Sequence, residues 1–429
     1  MNNFRSLNKS LKFLSAEAGL LCYIAKLPRM HLDPNLISYG IWPSDSSVVG
    51  GKKYSGRSSG CGYEWENAIL STIGEVIERY CPAFYDTNTF IKSSYKNLQK
   101  PAIHPNEIAM FHESQYGGQN FPFVRFQEET EIHWAPCIDL ATGAEVYFPA
   151  SLIYMPYEEI EEWVGLTTST GLAGHTDIYK AILNGLYEVI ERDNFVMMWM
   201  NEIFLSKIII DDEINAFLKE NYNDQYEFHF FDITFDLPSP TVFGICFGKA
   251  DYGDFVAVGS ASRGTFGEAM KKVIMEIGQA VSYFRFMLGE QKDWMPNDFY
   301  DLIDFEKHST FYLKRKDLWS AFDRWRLAEP SKKIDFNEEP KPSAQKEIQS
   351  IIKELTSKGY NVLLKYLTTP DVEEAGFHSV KVIVPQLLEL SGSYSFYFCG
   401  GKRLYTVPEQ FGFKNREFSQ LNKNPHPFP

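Results

Sequence analysis

The chain of 429 residues has no run of 18 uninterrupted apolar residues, so nothing in it reads as a membrane span. It also has no block of five basic residues, and its 42 Lys and Arg stand against 56 Asp and Glu, a formal charge of −14. A nucleic-acid partner needs a basic footprint, so that class is disfavoured. The six cysteines (22, 61, 81, 137, 246 and 399) form no Cys-x-x-Cys pair and lack a short-spaced histidine. Structural zinc and a disulfide framework are therefore not expected, and a reducing cytoplasm fits. Neither the Gly-x-x-x-x-Gly-Lys-Ser/Thr loop nor the kinase motifs occur, which removes the two common ATP folds.

What remains is ordinary globular composition, 44% hydrophobic and 23% charged, with length for two or three domains. Arg5, Lys9 and Lys12 precede FLSAEAGLLCYIA, which faintly resembles a signal peptide. Glu17 interrupts that run and no small-x-small site follows, so an amphipathic first helix is expected. Apolar β-rich runs at 145–155, 226–233, 241–248, 254–262, 360–369 and 378–387 predict strands of a mixed or antiparallel sheet. The polar, proline-dotted stretch 327–343 reads as a surface linker, and SAQKEIQSIIKELTSKG predicts a helix ending at Gly359. The acidic run YEEIEEW (157–163) reads as a solvated face.

The most informative feature is a repeat. AILSTIGEVIERY (68–80), AILNGLYEVIERD (181–193) and AMKKVIMEIGQA (269–280) share Ala, six residues, Glu, two residues, then Glu or Gln. Each follows a Gly/Ser/Thr-rich stretch: SGRSSGCG (55–62), TSTGLAG (168–174) and GSASRG (259–264). On a helix the polar positions fall in register at i, i+4 and i+7: Ser71, Glu75, Glu78; Asn184, Glu188, Glu191; Lys272, Glu276, Gln279. The opposite face of each copy is aliphatic. One copy alone reads as an ordinary amphipathic helix, but a merely solvated face has no reason to hold the same register three times.

Five carboxylates (Glu75, Glu78, Glu188, Glu191, Glu276) gathered together cannot all stay ionised without a counter-charge. Mg²⁺ supplies one, because it takes oxygen ligands and keeps waters and phosphate oxygens. Glycine-rich turns before helix starts suit phosphate. Arg79, Arg192 and Lys272 either neutralise phosphate or, for the arginines, pair with a glutamate on their own helix. The residues thus predict a Mg-nucleotide site walled by three pseudo-equivalent helices.

These three ordered motifs resemble the YcaO family: SSGCGYEWENAILSTIGEVIERY its first signature, TGLAGHTDIYKAILNGLYEVIERD its second, and KVIMEIGQ its third. The resemblance spans roughly residues 50–429. It implies an α+β fold, with helices packed on mixed or antiparallel sheets around an ATP cleft and internal pseudo-repeats. An N-terminal extension (1–54) is expected to pack on a catalytic domain (55–429). The resemblance also implies ATP and Mg²⁺ as cofactors, used to activate the oxygen of a peptide backbone amide. Carried over, Ser71, Glu75, Glu78, Arg79, Thr176, Asn184, Glu188, Glu191, Arg192, Lys272, Glu276 and Gln279 bind ATP, and the five glutamates bind metal. Three positions depart from the family pattern. Thr176 and Lys180 stand where many members have Asn and then an acid. Lysine cannot ligate magnesium, so either that contact is lost or Lys180 meets phosphate. Lys272 stands where arginine is frequent and loses the bidentate fork.

The ending NPHPFP resembles the Pro-x-Pro-x-Pro terminus of members that form azoline rings. Pro425, Pro427 and Pro429 make the tail 424–429 stiff and extended, able to bring the Pro429 carboxylate to the active site. His426 is a weaker candidate base, since a lone tail histidine is mostly incidental. The implied activity is cyclodehydration of Cys, Ser or Thr in a ribosomal precursor peptide to thiazoline or oxazoline. Thioamide or amidine formation, or a non-catalytic nucleotide-binding scaffold, are the alternatives. The first motif begins near residue 58, which predicts a stand-alone catalytic half. Its expected partners are a leader-binding protein resembling ubiquitin-activating enzymes and, as further options, an FMN dehydrogenase and a second copy of the chain.

Overall fold

The computed structural model describes residues 2–15, 19–118, 120–338 and 342–428. The chain divides into two compact units. Met1–Leu27, Ile37–Val189 and Pro342–Glu389 form the first, and Pro28–Leu36, Ile190–Lys341 and Leu390–Pro429 form the second.

The first unit opens with helix α1 (Asn2–Ser10) and an antiparallel sheet of three strands, β1 (Leu21–Lys26), β2 (Ile37–Pro43) and β3 (Ser58–Gly62). Among the described residues the expected amphipathic helix is Asn2–Ser10, and residues 16–18 of the run lie outside them. The run LCYIAK is a strand, because it finds a ladder partner in β2, with Ala25 opposite Gly40. Helix α2 (Trp65–Tyr80) buries Ala68, Ile73, Val76 and Ile77, the predicted aliphatic stripe. Strands β4 (Ile91–Ser93), β5 (Ile132–Asp139), β6 (Glu145–Pro149) and β7 (Leu172–His175) follow. Helix α3 (Ile178–Asn201) then runs 24 residues, its part up to Val189 in the first unit and the rest in the second.

In the second unit the chain forms β8 (Ser206–Ile208), helix α4 (Asp212–Asn221), β9 (Glu227–Asp232), β10 (Thr241–Ala250), β11 (Gly253–Ser262), helix α5 (Phe266–Glu290), helix α6 (Phe305–Lys314) and β12 (Pro330–Lys332). The sheet order is β11-β10-β9-β8-β12, antiparallel except for the parallel β8–β12 pair. The proline-dotted stretch 327–343 thus supplies an edge strand rather than only a linker. Prolines are tolerated there because an edge strand leaves one side of its ladder open. Thr265 caps α5 by accepting from the Glu268 N–H, and Val273, Ile274 and Ile277 pack with Phe228, Phe230 and Phe255 in one apolar core.

Back in the first unit, helix Ala344–Ser357 buries Ile348, Ile351 and Leu355, and the chain turns at Gly359, where φ is +82°. Strands β13 (Leu363–Tyr366) and β14 (His378–Ile383) complete a sheet of order β4-β5-β13-β14-β7, with β6 paired to β5. All its pairs are antiparallel, so the α+β expectation holds for both units. The acidic run at 157–163 is not simply solvated. Glu161 bonds the His133 imidazole at 2.7 Å and Tyr157 OH at 3.1 Å, and Glu159 pairs with Lys52 at 3.0 Å.

The repeat is a strand–helix unit: β3–α2, β7–α3 and β11–α5. In each, a glycine ahead of the helix abuts the helix residue four places after the shared alanine. A Cβ on Gly60 would lie 2.4 Å from the Thr72 nitrogen. One on Gly185 would lie 2.9 Å from the Gly171 carbonyl oxygen, and one on Gly259 would lie 3.0 Å from that of Val273. These glycines seat a helix on its strand, a use different from the phosphate-binding turn expected of them.

Candidate active site

The first two motifs meet within the first unit. Gly174 lies against α2, where an added Cβ would come within 2.8 Å of the Gly74 carbonyl oxygen. That approach lets the Gly174 N–H donate to Glu78 Oε1 at 3.0 Å. Burial raises the Glu78 pKa well above the usual carboxylate range, and the charges of Glu75 and Glu188 add to the shift. Arg79 and the Gly174 N–H work the other way. Arg79 donates to Glu75 Oε1 through both Nε (3.2 Å) and Nη2 (2.9 Å), which realises the same-helix pairing left open by the sequence. Burial opposes its charge, but Glu75, Glu78 and Glu188 hold it firmly cationic. One arginine among three carboxylates leaves net negative charge, and such a donor set fits a divalent cation carrying phosphate oxygens.

Beside this cluster lies a cavity of about 370 Å³. Arg5 and Lys9 of α1 line it together with His175, Thr176, Asp177 and Lys180 at the start of α3. Gly74 and Gly174 border it, so it adjoins Glu78. Asp177 Oδ1 caps α3 by accepting from the Tyr179 N–H (2.9 Å), and His175 Nδ1 accepts from the Asp177 N–H (2.9 Å). Burial and Lys180 lower the His175 pKa, which keeps it neutral. The remaining lining charge is three cations against one carboxylate, suited to an anion. Thr176 and Lys180, two of the three departures from the family pattern, thus share a cavity with two basic residues the sequence reading missed. Their only signal was two basic residues four apart on the first helix.

Lys381 was missed as well. It lies at the centre of β14, 1% exposed, with Nζ donating to the Thr168 carbonyl at 2.8 Å. Thr168 in turn donates its hydroxyl to Glu389 (2.6 Å). Burial pulls the Lys381 ammonium down to about 8, while Glu389 and Glu188 oppose the shift. A lysine inside the otherwise apolar run HSVKVIVPQL was the available signal.

The rest of the predicted set belongs to the second unit. Lys272 and Glu276 pair at 3.2 Å one turn apart on α5, and Gln279 follows half-buried on the same helix. Glu191 and Arg192 approach to 4.0 Å, with Arg192 also over the Phe428 ring, 4.3 Å from its centroid. Ser71 and Asn184, expected to line the site, are exposed. Pro425 and Pro427 are described, whereas Pro429 lies outside the described residues. His426 is not incidental: it is 2% exposed and stacked on His308 at 4.0 Å. Among the described residues no three His, Cys, Asp or Glu side chains converge as a closed metal-ligand set. Magnesium does not require one, since it is commonly held by one or two carboxylates plus phosphates and water. None of the six cysteines is in a disulfide, and no helix among the described residues is long and apolar enough to cross a membrane.

Residues 59–388 match the family model described as YcaO cyclodehydratase, ATP- and Mg²⁺-binding. The chain belongs to the YcaO family, and its cofactors are accordingly ATP and Mg²⁺. Among solved structures, it resembles a heterocyclase in complex with substrate and cofactor (20% identity, TM-score 0.78, covering all of this chain and 58% of that one). It also resembles the heterocyclase TruD (23%, 0.62, covering 82% and 50%). A third match is the E. coli microcin synthetase McbBCD complex with pro-MccB17 bound (16%, 0.59, covering 87% and 90%). At these identities the likeness is one of fold. The chain spans between half and three fifths of the length of the first two. No curated protein matches the sequence.

Proposed function

We propose that this chain is an ATP- and Mg²⁺-dependent cyclodehydratase that converts Cys, Ser or Thr of a ribosomal precursor peptide to thiazoline or oxazoline. The observation that carries the reading is the half-buried Glu78, whose charge feels Glu75, Glu188 and Arg79 and which borders a cationic cavity. Bound MgATP would supply the phosphoryl group that turns the amide oxygen into a leaving group. Glu75, Glu78 and Glu188, with Glu191 and Glu276, are the proposed metal ligands. Arg79, Arg192 and Lys272 are the proposed phosphate contacts, joined by Lys180, Arg5 and Lys9. Arg79 and Lys272 pair with their own-helix glutamates, so a phosphate contact would require each to share or exchange its partner. Ser71, Thr176, Asn184 and Gln279 complete the proposed polar lining.

The proline-spaced segment at Pro425, Pro427 and Pro429 is proposed to approach the reacting amide, and this ending, with Pro425 and Pro427 buried, favours ring formation over the thioamide, amidine and scaffold alternatives. The proposed partners are the precursor peptide and a leader-binding protein resembling ubiquitin-activating enzymes, in the cytoplasm. The multi-protein McbBCD assembly with its bound pro-peptide supports that arrangement. The test is mass spectrometry of a candidate peptide after incubation with the chain, its partner, ATP and Mg²⁺. Loss of one water per ring is expected. An unchanged mass alongside peptide-independent nucleotide binding would leave only the scaffold.

A further inference from the structure

The segment from Lys423 to Phe428 has no helix or strand, yet most of it is buried in the second unit. Four consecutive carbonyls each accept a hydrogen bond from a different side chain. Tyr394 OH donates to Lys423 O (2.8 Å) and Trp199 Nε1 to Asn424 O (3.0 Å). Tyr312 OH donates to Pro425 O (2.7 Å) and His308 Nδ1 to His426 O (2.9 Å). Two backbone donors of the segment also find partners. The Asn424 N–H reaches Asn422 Oδ1 (3.0 Å), the His426 N–H reaches Tyr397 OH (3.2 Å), and residues 425 and 427 are prolines with no N–H. A buried backbone donor without a partner is costly. Alternate prolines remove such donors and leave carbonyls for the groove to read. A slip of one residue would bring N–H groups to the proline positions and prolines to the Tyr397 hydroxyl.

Beyond these four carbonyls the segment reaches a charged group, the Arg192 guanidinium. The His426 ring lies flat on His308 (4.0 Å between centroids, 8° between planes), and its Nε2 donates to the Ser391 carbonyl (2.9 Å). Burial keeps both imidazoles neutral. Two residues on, the Phe428 ring meets Phe195 edge to face at 4.9 Å and carries the Arg192 guanidinium over its face. Arg192 and Phe195 are three residues apart on α3 and so present neighbouring side chains.

We propose that Tyr394, Trp199, Tyr312 and His308 form a carbonyl-reading clamp that fixes the register of residues 423–426, and that Phe428, so placed, is a positioning residue for the Arg192 guanidinium. The second half rests on the reading of Arg192 as a nucleotide contact; the first does not. Hydrogen exchange read by mass spectrometry tests the clamp directly, because 424, 426 and 428 carry the only backbone N–H groups from 424 to 429. In the full chain these amides should be protected, and Tyr312→Phe, which keeps the ring, should speed their exchange about tenfold with the melting temperature nearly unchanged. Wild-type exchange at the rate of an unstructured segment, or no acceleration in Tyr312→Phe, would overturn the clamp. For Phe428, steady-state ATP hydrolysis is the readout. Phe428→Leu should raise KM for ATP about fivefold with kcat less affected, and Phe428→Tyr should restore it. An unchanged KM in Phe428→Leu would overturn the link to Arg192. A wild-type chain without ATP turnover would instead count against the enzyme reading, with the exchange result still deciding the clamp.

Discussion

Residues 75–79 and 188–192 are spelled identically, Glu-Val-Ile-Glu-Arg, and both lie within helices, yet their surroundings differ. In the first copy Arg79 folds back onto Glu75, Glu78 takes the Gly174 N–H, and the next residue, Tyr80, donates to Asp371 at 2.9 Å. In the second copy Arg192 lies over the Phe428 ring, and the next residue, Asp193, is fully buried against Arg403, whose Nε and Nη2 reach its two oxygens at 2.9 and 2.8 Å. Local sequence sets the helix and its register. Which partner each charge finds is decided by chain that arrives from far away in sequence.

That contrast can be tested in order of expected effect. Glu75→Gln should cut ATP-dependent turnover at least about 100-fold, since it removes a proposed metal ligand and frees Arg79. Activity assays with circular dichroism would separate lost chemistry from lost fold. At the residue after the shared five, Asp193→Asn should cost about 3 kcal/mol of stability, because it leaves the Arg403 guanidinium buried with a weakened partner. Tyr80→Phe at the matching position of the first copy should cost about 1 kcal/mol, the worth of one hydrogen bond. Urea denaturation measures both, and equal losses would erase the distinction. Arg192→Lys should raise KM for ATP about tenfold, and Arg79→Lys only about threefold. The stacked guanidinium depends on its planar shape, whereas the ion-paired one depends mainly on charge.

Two titratable groups, one in each unit, should also respond to pH in opposite senses. Burial and neighbouring acids raise the folded-state pKa of Glu78, so its contribution to stability is fullest below the unfolded value near 4.5 and is lost as pH rises above it. His308, stacked on His426 in the second unit, is held down to about 4 by burial. Its contribution is complete above about 6.5 and is lost as pH falls from there towards 4. Glu78→Gln should therefore stabilise the unliganded protein at neutral pH, by on the order of 1 kcal/mol, while abolishing turnover. Thermal melts at pH 7 and 5 would show it, and a Glu78→Gln protein that melts earlier at pH 7 would contradict the strained-carboxylate reading.

Much of this was legible in the sequence because it is periodic. The three helices and their aliphatic faces follow from spacing alone, and the strands expected at 226–233, 241–248 and 254–262 appear at 227–232, 241–250 and 253–262. The family likeness rested on motifs that are themselves periodic. What escaped depends on distant contacts. LCYIAK becomes a strand because β2 is available to pair with it, and Glu161 is removed from solvent by His133. Lys381 gains its meaning from Thr168, 213 residues away. The tail histidine looked incidental because its four supporting donors come from α3, α6 and the segment around Tyr394, none of which its own neighbourhood announces.

The most direct measurement is calorimetric titration of ATP into the wild-type chain and into Glu188→Gln, each with and without Mg²⁺. The account predicts binding by the wild type that requires the metal, and at least a 100-fold loss of affinity in the variant. Metal-independent binding of equal strength in both proteins would contradict it.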